Sequence, residues 1–176
     1  MECLNIPQEE CGIFKGGWSL DATAMYYALR AIRYADKLRI LEFGSGDGTA
    51  ALVELLDRHS VPFDYTAYEN NIEYKCPDHR VRTMLWEEFP SKVRKDVYDF
   101  VIIDGPHGVT REKWYPLIKP VVRAGTIILI DDWMHYAEFM KALDNNFTYR
   151  VIEAHAEYTE ICSYITWLIV EVISAK

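Results

Sequence analysis

The sequence predicts a doubly wound α/β sheet, mostly parallel, that ends in an antiparallel β-hairpin. A glycine-rich turn joins a predicted strand to a predicted helix over 38–58. Further segments of β-branched and aromatic residues alternate with helical patterns along the chain. The last two predicted strands follow one another with no helical pattern between them, which indicates an antiparallel pair. With 176 residues that are 50% apolar, the chain is expected to form one domain around a full core.

The N-terminal part is predicted to form a helix that packs on the sheet, preceded by a loop that could cover a ligand site as a lid. Trp18 and Ser19 are candidates for closing the pocket, although core packing is the more frequent role of a tryptophan. Ser19 or Asp21 is expected to cap the helix. The predicted single domain, 1–176, is divided into the N-terminal lid and helix (1–37), the ligand-binding βα units (38–148) and the terminal hairpin (149–176).

The stretch that organises the chain is a strand, a glycine-rich turn and a helix in direct succession. The strand Arg39–Phe43 is followed by Gly44, Gly46 and Gly48, and apolar residues at helical spacing follow over 50–58. Glycine has no Cβ, so the backbone can adopt a positive φ and approach a ligand closely. The turn also places N–H groups and the positive end of a helix dipole at the carboxyl edge of the sheet. This arrangement predicts a site for a nucleotide-type ligand.

The glycine spacing is G-x-G-x-G, which differs from the G-x-G-x-x-G pattern of dinucleotide sites, and Glu42 precedes the first glycine. A carboxylate there favours an ammonium or sulfonium group over a pyrophosphate. The segment Glu42–Gly48 resembles the first motif of class I S-adenosylmethionine-dependent methyltransferases. The resemblance implies a Rossmann-like seven-stranded sheet and S-adenosylmethionine as cofactor. The cofactor-binding residues that it implies here are Glu42, Gly44, Ser45, Gly46 and Gly48.

Two further strand ends carry candidate cofactor ligands. Glu69 follows the predicted strand 61–68, at the position where this fold holds ribose hydroxyls, and a carboxylate can accept two hydrogen bonds from a vicinal diol. Asn70 lies beside it. The predicted strand 80–86 ends in Trp86, where the resembled fold holds the adenine ring. Stacking of Trp86 on the base and packing at the sheet edge are both open alternatives.

The fourth and fifth predicted strands end in acidic residues. Asp104 and, shortly after it, His107 follow the fourth strand, and Asp131 and Asp132 follow the fifth. Asp104 is also a cofactor-binding candidate in the resembled fold. Transfer of a methyl group to a hydroxyl requires removal of its proton. In the first catalytic hypothesis, His107 is the general base and Asp104 or Asp131 orients it.

In the second hypothesis, Asp104, Asp131 and Asp132 bind Mg²⁺ or another hard divalent cation, which lowers the pKa of a coordinated hydroxyl. This pattern resembles metal-dependent small-molecule O-methyltransferases of the catechol and caffeoyl-coenzyme A types. The catechol type has a lysine where this chain has His107, which puts a lysine-base mechanism in doubt. The segment Ile103–Gly108 also resembles bacterial sugar- and antibiotic-tailoring methyltransferases, which implies a polyhydroxylated acceptor.

The resemblance covers 38–173 and implies O-methylation of a small hydroxylated acceptor of sugar, antibiotic or phenolic type. The alternatives are a binding module that has lost catalysis and a methyltransferase that acts on a protein or nucleic acid. A net charge of −8 disfavours a nucleic acid partner, because phosphate binding requires a basic surface. A dehydrogenase is the least favoured alternative, because of the glycine spacing and the terminal hairpin.

The four cysteines show no C-x-x-C spacing, no signal peptide is recognised, and no apolar segment reaches membrane-spanning length. A reduced, cytoplasmic protein with no membrane partner is therefore expected. The five tryptophans and twelve tyrosines are compatible with a homo-oligomer, although no segment identifies an interface.

Overall fold

The computed structural model describes residues 2–15, 20–88, 97–105, 111–135, 137–157 and 165–176. Within them it contains nine β-strands and four α-helices, together with short 3-10 turns. The strands are β1 (Glu2–Cys3), β2 (Arg33–Tyr34), β3 (Leu38–Phe43), β4 (Phe63–Tyr68), β5 (Val81–Met84), β6 (Phe100–Ile103), β7 (Ile127–Asp131), β8 (Phe147–Glu157) and β9 (Ile165–Ala175). The helices are α1 (Ala22–Ala31), α2 (Asp47–Arg58), α3 (Trp114–Ile118) and α4 (Ala137–Asn146).

Seven strands form one sheet in the order β5-β4-β3-β6-β7-β9-β8. The strands from β5 to β7 in that order run parallel, whereas β9 runs antiparallel to both β7 and β8. The predicted doubly wound sheet with a terminal antiparallel hairpin is therefore confirmed. The strand order changes direction between β3 and β6, so the carboxyl ends of these two strands flank the crevice where ligands bind in such sheets.

Apolar layers cover both faces of the sheet, as the continuous apolar strands predict. On one face, α1 and α2 pack over a cluster that includes Ile40 and Ile102. On the other face, α3 and α4 pack over a cluster that includes Phe43 and Ile103. The alternation of side chains along each strand thus gives β3 and β6 two buried faces and leaves only their ends for polar groups.

Helix α1 begins at Asp21, whose carboxylate accepts hydrogen bonds from the backbone N–H groups of Thr23 at 2.8 Å and Ala24 at 3.0 Å. These two bonds satisfy N–H groups that have no partner inside the helix. The sequence offered Ser19 and Asp21 as alternatives for the helix cap, and Asp21 is the residue that caps it. Ser19 and Trp18, the candidates for closing the pocket, lie outside the described residues.

Some element boundaries differ from the sequence prediction. Strand β4 starts at Phe63 rather than Val61, because Pro62 has no N–H to donate to a neighbouring strand. The described residues between β6 and β7 contain only a five-residue helix, α3, between 3-10 turns. Pro116 lies within its first turn, where the missing N–H costs little, so this proline does not end the helix.

The sequence analysis missed a small second sheet, in which β1 pairs antiparallel with β2. Each of these strands has two residues, which is too short for an alternating pattern to be recognised. None of the helices in the described part of the chain is long and apolar enough to cross a membrane.

Candidate active site

The glycine turn after β3 brings two strand ends into contact. Gly44 has a φ of +97°, and a Cβ placed on it would lie 3.0 Å from the backbone nitrogen of Gly105. The N–H of Gly105, directly beyond β6, donates to the carbonyl of Phe43 at 2.6 Å. Only glycine combines this φ with this close approach. The glycine turn predicted from the sequence is thus closed against the end of β6.

Helix α2 begins immediately after the turn, with Gly46 as its N-cap residue. The N–H of Gly46 donates to the Thr49 hydroxyl at 3.0 Å, while Gly48 is buried in the first turn of the helix. A Cβ on Gly46 would meet no atom within 4 Å, so there is open space beside the helix N-terminus. The N-terminus of a helix of twelve residues attracts electron-rich groups.

The carboxylate of Glu42 lies beneath the turn, where the residue is only 2% exposed. Its Oε2 accepts hydrogen bonds from the hydroxyls of Thr49 at 2.7 Å and Tyr65 at 2.9 Å. Burial raises the pKa of Glu42 to about 8, although both hydrogen bonds favour the charged form. Glu42 is thus connected to Gly46 through Thr49. Its direct contact with a ligand stays a prediction.

Glu69 connects the turn to the end of β4. Its carboxylate accepts hydrogen bonds from the backbone N–H groups of Ser45 at 3.3 Å and Asn71 at 2.6 Å, and the residue is 7% exposed. The Ser45 hydroxyl donates to the carbonyl of Tyr74 at 2.7 Å. An acidic group thus lies beside the glycine turn, at the place predicted for ribose recognition. The ribose contact itself is a prediction.

The other two cofactor candidates form a joint network at the ends of β4 and β5. The Asn70 side chain accepts from the N–H of Trp86 at 2.8 Å and donates to Glu87 at 3.0 Å. The indole of Trp86 donates to the carbonyl of Tyr68 at 2.5 Å and is half-buried. These bonds hold Trp86 at the sheet edge. This position is compatible both with stacking on an adenine ring and with packing at the sheet edge.

Trp114 is a residue of this edge that the sequence analysis did not select. It stacks on Phe43 with ring centroids 4.3 Å apart, and its indole N–H donates to the carbonyl of Gly105 at 3.0 Å. Trp86 approaches it edge-on at 6.2 Å. The feature of the sequence that could have identified Trp114 is an aromatic residue shortly after the loop of the fourth strand. Trp114 braces the backbone on which Asp104 lies.

Asp104 and Asp131 come together because they follow neighbouring strands, β6 and β7. The preceding residues, Ile103 and Ile130, are paired in the sheet, so the two carboxyl groups lie side by side at its partly buried carboxyl edge. Burial raises the pKa of both groups, and the charge of Asp104 raises that of Asp131 further. Two carboxyl groups in this arrangement favour sharing one proton. Asp104 and Asp131 were predicted from the sequence as catalytic candidates together with His107, which lies outside the described residues.

Arg111 is the second residue that sequence reasoning missed. The residue is 3% exposed, and its guanidinium donates to the carbonyl of Asp131 at 3.1 Å. It also lies 3.5 Å from the carboxylate of Asp132. Asp132 adopts a φ of +55°, and its N–H donates to the carbonyl of Thr166 at 2.8 Å. No pattern in the sequence marked Arg111, because its partners are about twenty positions away.

The predicted metal ligands Asp104, Asp131 and Asp132 were tested for fit to a divalent cation. Within the described residues, no three His, Cys, Asp or Glu side chains converge as a metal site. The guanidinium of Arg111 faces Asp132 and the backbone of Asp131, while Asp104 and Asp131 follow the paired residues Ile103 and Ile130. A hard cation needs several oxygens directed at one point. The side chains as arranged do not fit such an ion.

The sheet order and the terminal hairpin are those of class I S-adenosylmethionine-dependent methyltransferases, and this chain has that fold. The resemblance noted from the sequence is therefore confirmed at the level of the fold. No protein-family model matches the sequence, and no curated protein matches it.

Three solved structures illustrate the similarity. A candidate O-methyltransferase from Klebsiella pneumoniae matches with a TM-score of 0.64 at 14% identity, over 95% of this chain and 86% of that chain. Cofactor-bound Rv0187 from MTB matches with a TM-score of 0.64 at 12% identity, over 95% and 86%. Human methyltransferase-like protein 13 in complex with SAH matches with a TM-score of 0.57 at 13% identity, over 85% and 81%. Because similar folds also occur in a precorrin-6y methyltransferase, the fold does not determine the acceptor.

Proposed function

We propose that this protein is an S-adenosylmethionine-dependent methyltransferase that methylates a hydroxyl group of a small acceptor. The observation that carries the proposal is the closed glycine turn. Gly44 contacts Gly105, and the N–H of Ser45 reaches the carboxylate of Glu69 at the same sheet edge. This edge offers backbone N–H groups, a helix N-terminus and a carboxylate within one crevice.

The cofactor side of the proposed site comprises the turn, α2 and the end of β4. The open space beside Gly46 gives the ligand room, and Glu69 is suited to accept hydrogen bonds from two hydroxyls. Glu42 lies beneath the glycine turn. When ionised, its negative charge attracts an ammonium or sulfonium group. S-adenosylmethionine would supply the electrophilic methyl group when bound. The remaining candidates for this side are Gly44, Ser45, Gly48, Asn70, Trp86 and Asp104.

The acceptor side of the proposed site is built around Asp104 and Asp131. Carboxyl groups with raised pKa values are better proton acceptors near neutral pH than ordinary carboxylates. Either the ionised member of this pair takes the hydroxyl proton directly, or it orients His107, which takes it. Both versions place the proton acceptor at the ends of β6 and β7, next to the closed glycine turn.

A small acceptor is proposed because the segment 103–108 resembles sugar- and antibiotic-tailoring methyltransferases, which implies a polyhydroxylated acceptor. Among the described residues, the N-terminal segment and the turn after β7 are candidates to line its pocket. The net charge of −8 argues against a nucleic acid as acceptor. A hydroxyl acceptor is preferred because the pair of Asp104 and Asp131 can take a proton.

The first test is calorimetric titration of the purified protein with S-adenosylhomocysteine, with NAD as the control ligand. Binding of S-adenosylhomocysteine without binding of NAD would support the proposal. Failure to bind S-adenosylhomocysteine would overturn it, whatever the fold. Binding without transfer to any hydroxylated acceptor would favour the alternative of a binding module that has lost catalysis.

The second test addresses catalysis. The double variant Asp104→Asn with His107→Ala is expected to abolish methyl transfer, because it removes the imidazole and the carboxyl group whose charge raises the pKa of Asp131. Circular dichroism and thermal unfolding would establish that the variant keeps its fold. Full turnover by this folded variant would show the catalytic assignment to be wrong.

A further inference from the structure

A positively charged side chain, that of Arg111, lies beside the acidic residues at this edge of the sheet. Arg111 is 3% exposed, so its charge is removed from water and requires partners nearby. Two of its partners are the carbonyl of Asp131 at 3.1 Å and the carboxylate of Asp132 at 3.5 Å. All three residues lie at or next to the end of β7, where the carboxylates of the acceptor side are concentrated.

The guanidinium contacts one of the three carboxylates of the hypothesised metal site, that of Asp132, and the backbone carbonyl of Asp131. Hard divalent cations bind carboxylate and carbonyl oxygens at short range and in a defined geometry. Here one carboxylate and one carbonyl face a group that carries five N–H donors and stays charged at any physiological pH. A divalent ion bound to the same oxygens would lie against this positive charge, which repels it.

The backbone is adapted to this contact. Asp132 has a φ of +55°, a conformation in which aspartate is far more common than most residues. Its N–H donates to the carbonyl of Thr166, at the start of β9, so the turn is held by β9 on one side and by Arg111 on the other. The carboxylate of Asp132 is therefore directed by the fold.

We infer that Arg111 takes the place of a divalent cation on the acceptor side of the site, and that the protein works without a metal ion. Arg111 acts as a positioning residue, which holds the turn of Asp131 and Asp132 and balances its negative charge. The inference rests on the proposed function, since it concerns how the acceptor side of that site is organised. It replaces the three-aspartate metal site, which was the second of the two catalytic hypotheses drawn from the sequence.

The direct test is the binding of Mn²⁺ to the full chain, measured by electron paramagnetic resonance, because free and bound Mn²⁺ give different signals. The wild-type protein is expected to leave the signal of free Mn²⁺ unchanged up to millimolar concentration. One Mn²⁺ bound per chain, lost in the variant Asp131→Asn, would overturn the inference. This measurement needs neither cofactor nor turnover.

A second measurement uses Arg111→Met, with Arg123→Met as the matched control. Arg123 pairs with Asp99 at 2.8 Å, at the opposite end of the same two strands, β6 and β7. Removing the guanidinium of Arg111 is expected to raise the affinity for Mn²⁺ by about tenfold or more, since the repelling charge is gone. A merely structural role would not create a metal site. An unchanged affinity in folded Arg111→Met would overturn the inference.

If Arg111→Met does not fold, Arg111→Lys provides a second test of the inference. Lysine retains the positive charge, so this variant is expected to exclude Mn²⁺ as the wild type does, and Mn²⁺ binding by it would contradict the charge argument. Failure of the proposed function is read separately, from the absence of S-adenosylhomocysteine binding in calorimetry. The Mn²⁺ measurement depends only on the folded chain and not on the binding of S-adenosylhomocysteine.

Discussion

The backbones of Gly44 and Gly105 are in contact, so closely that a Cβ on either residue would lie 3.0 Å from a backbone atom of the other. The two residues follow β3 and β6, the neighbouring strands at which the order of the sheet changes direction. Because both contact surfaces are backbone, neither side can move away by changing a rotamer. This contact sets how the glycine turn presents its N–H groups to the crevice.

Gly105→Ala is expected to destabilise the protein by about 1–3 kcal/mol, the usual cost of overpacking, and to weaken the binding of S-adenosylhomocysteine. The added Cβ would meet Gly44 and the carbonyl of Phe43 at 3.3 Å. Urea denaturation would measure the free energy of unfolding. The comparison holds when the free energy depends on urea concentration with the same slope in the variant and the wild type. Gly12→Ala is the control, because a Cβ there meets no atom within 4 Å. Equal stabilities of the two variants would contradict the close contact.

Glu69→Ala is expected to lower the affinity for S-adenosylhomocysteine by more than about tenfold, since charged hydrogen bonds to the ribose would be lost. Calorimetry measures the affinity, and circular dichroism checks the fold. Glu138→Ala is the control, because the Glu138 side chain is 72% exposed and pairs with Lys141 on the surface of α4. An unchanged affinity in Glu69→Ala would remove Glu69 from the cofactor site.

The buried Glu42 predicts a pH dependence of stability. Its pKa rises from the ordinary 4.5 to about 8 in the folded protein, so the folded state holds this proton more tightly than the unfolded state. The stabilising contribution is complete below about pH 4.5 and is lost as the pH rises through about 8. Glu42→Gln keeps an oxygen that accepts from Thr49 and Tyr65 and has no charge to lose.

The melting temperature of Glu42→Gln is therefore expected to fall less with rising pH than that of the wild type, measured by scanning calorimetry from pH 5 to 9. Above about pH 8 the variant is expected to be the more stable protein. Parallel curves for the two proteins would show that Glu42 is ionised throughout this range.

Tyr65→Phe removes one of the two hydroxyls that donate to Glu42 and changes the shape of the core little. The free energy of unfolding is expected to fall by about 1–3 kcal/mol, because a buried carboxylate loses a partner. Tyr26→Phe is the matched control, since the Tyr26 hydroxyl accepts from Arg30 at the exposed surface. A cost for Tyr65→Phe no larger than that of the control would mean that the hydroxyl contributes nothing to the buried network.

Much of the architecture was readable in the sequence because it depends on neighbouring residues. The run Arg39–Phe43 with its glycines predicted β3, the turn and α2, and all three are present. The adjacent strands at the C-terminus predicted the antiparallel pair, which is confirmed. Asp104 and Asp131 were selected because the ends of parallel strands meet at one edge. Periodicity and turn chemistry are local, so a single sequence carries them.

The sequence by itself thus determined the fold class, the glycine turn and the acidic residues at the strand ends. Only the tertiary structure decided what those residues contact. Tyr65, 23 positions from Glu42, donates to its carboxylate, and Arg111 faces the turn of Asp131, which one of the two hypotheses from the sequence had assigned to a metal. The physical reason is that burial and the pairing of charges depend on which strands lie side by side. That order is set by packing over the whole sheet, and no local pattern encodes the partner of a buried charge.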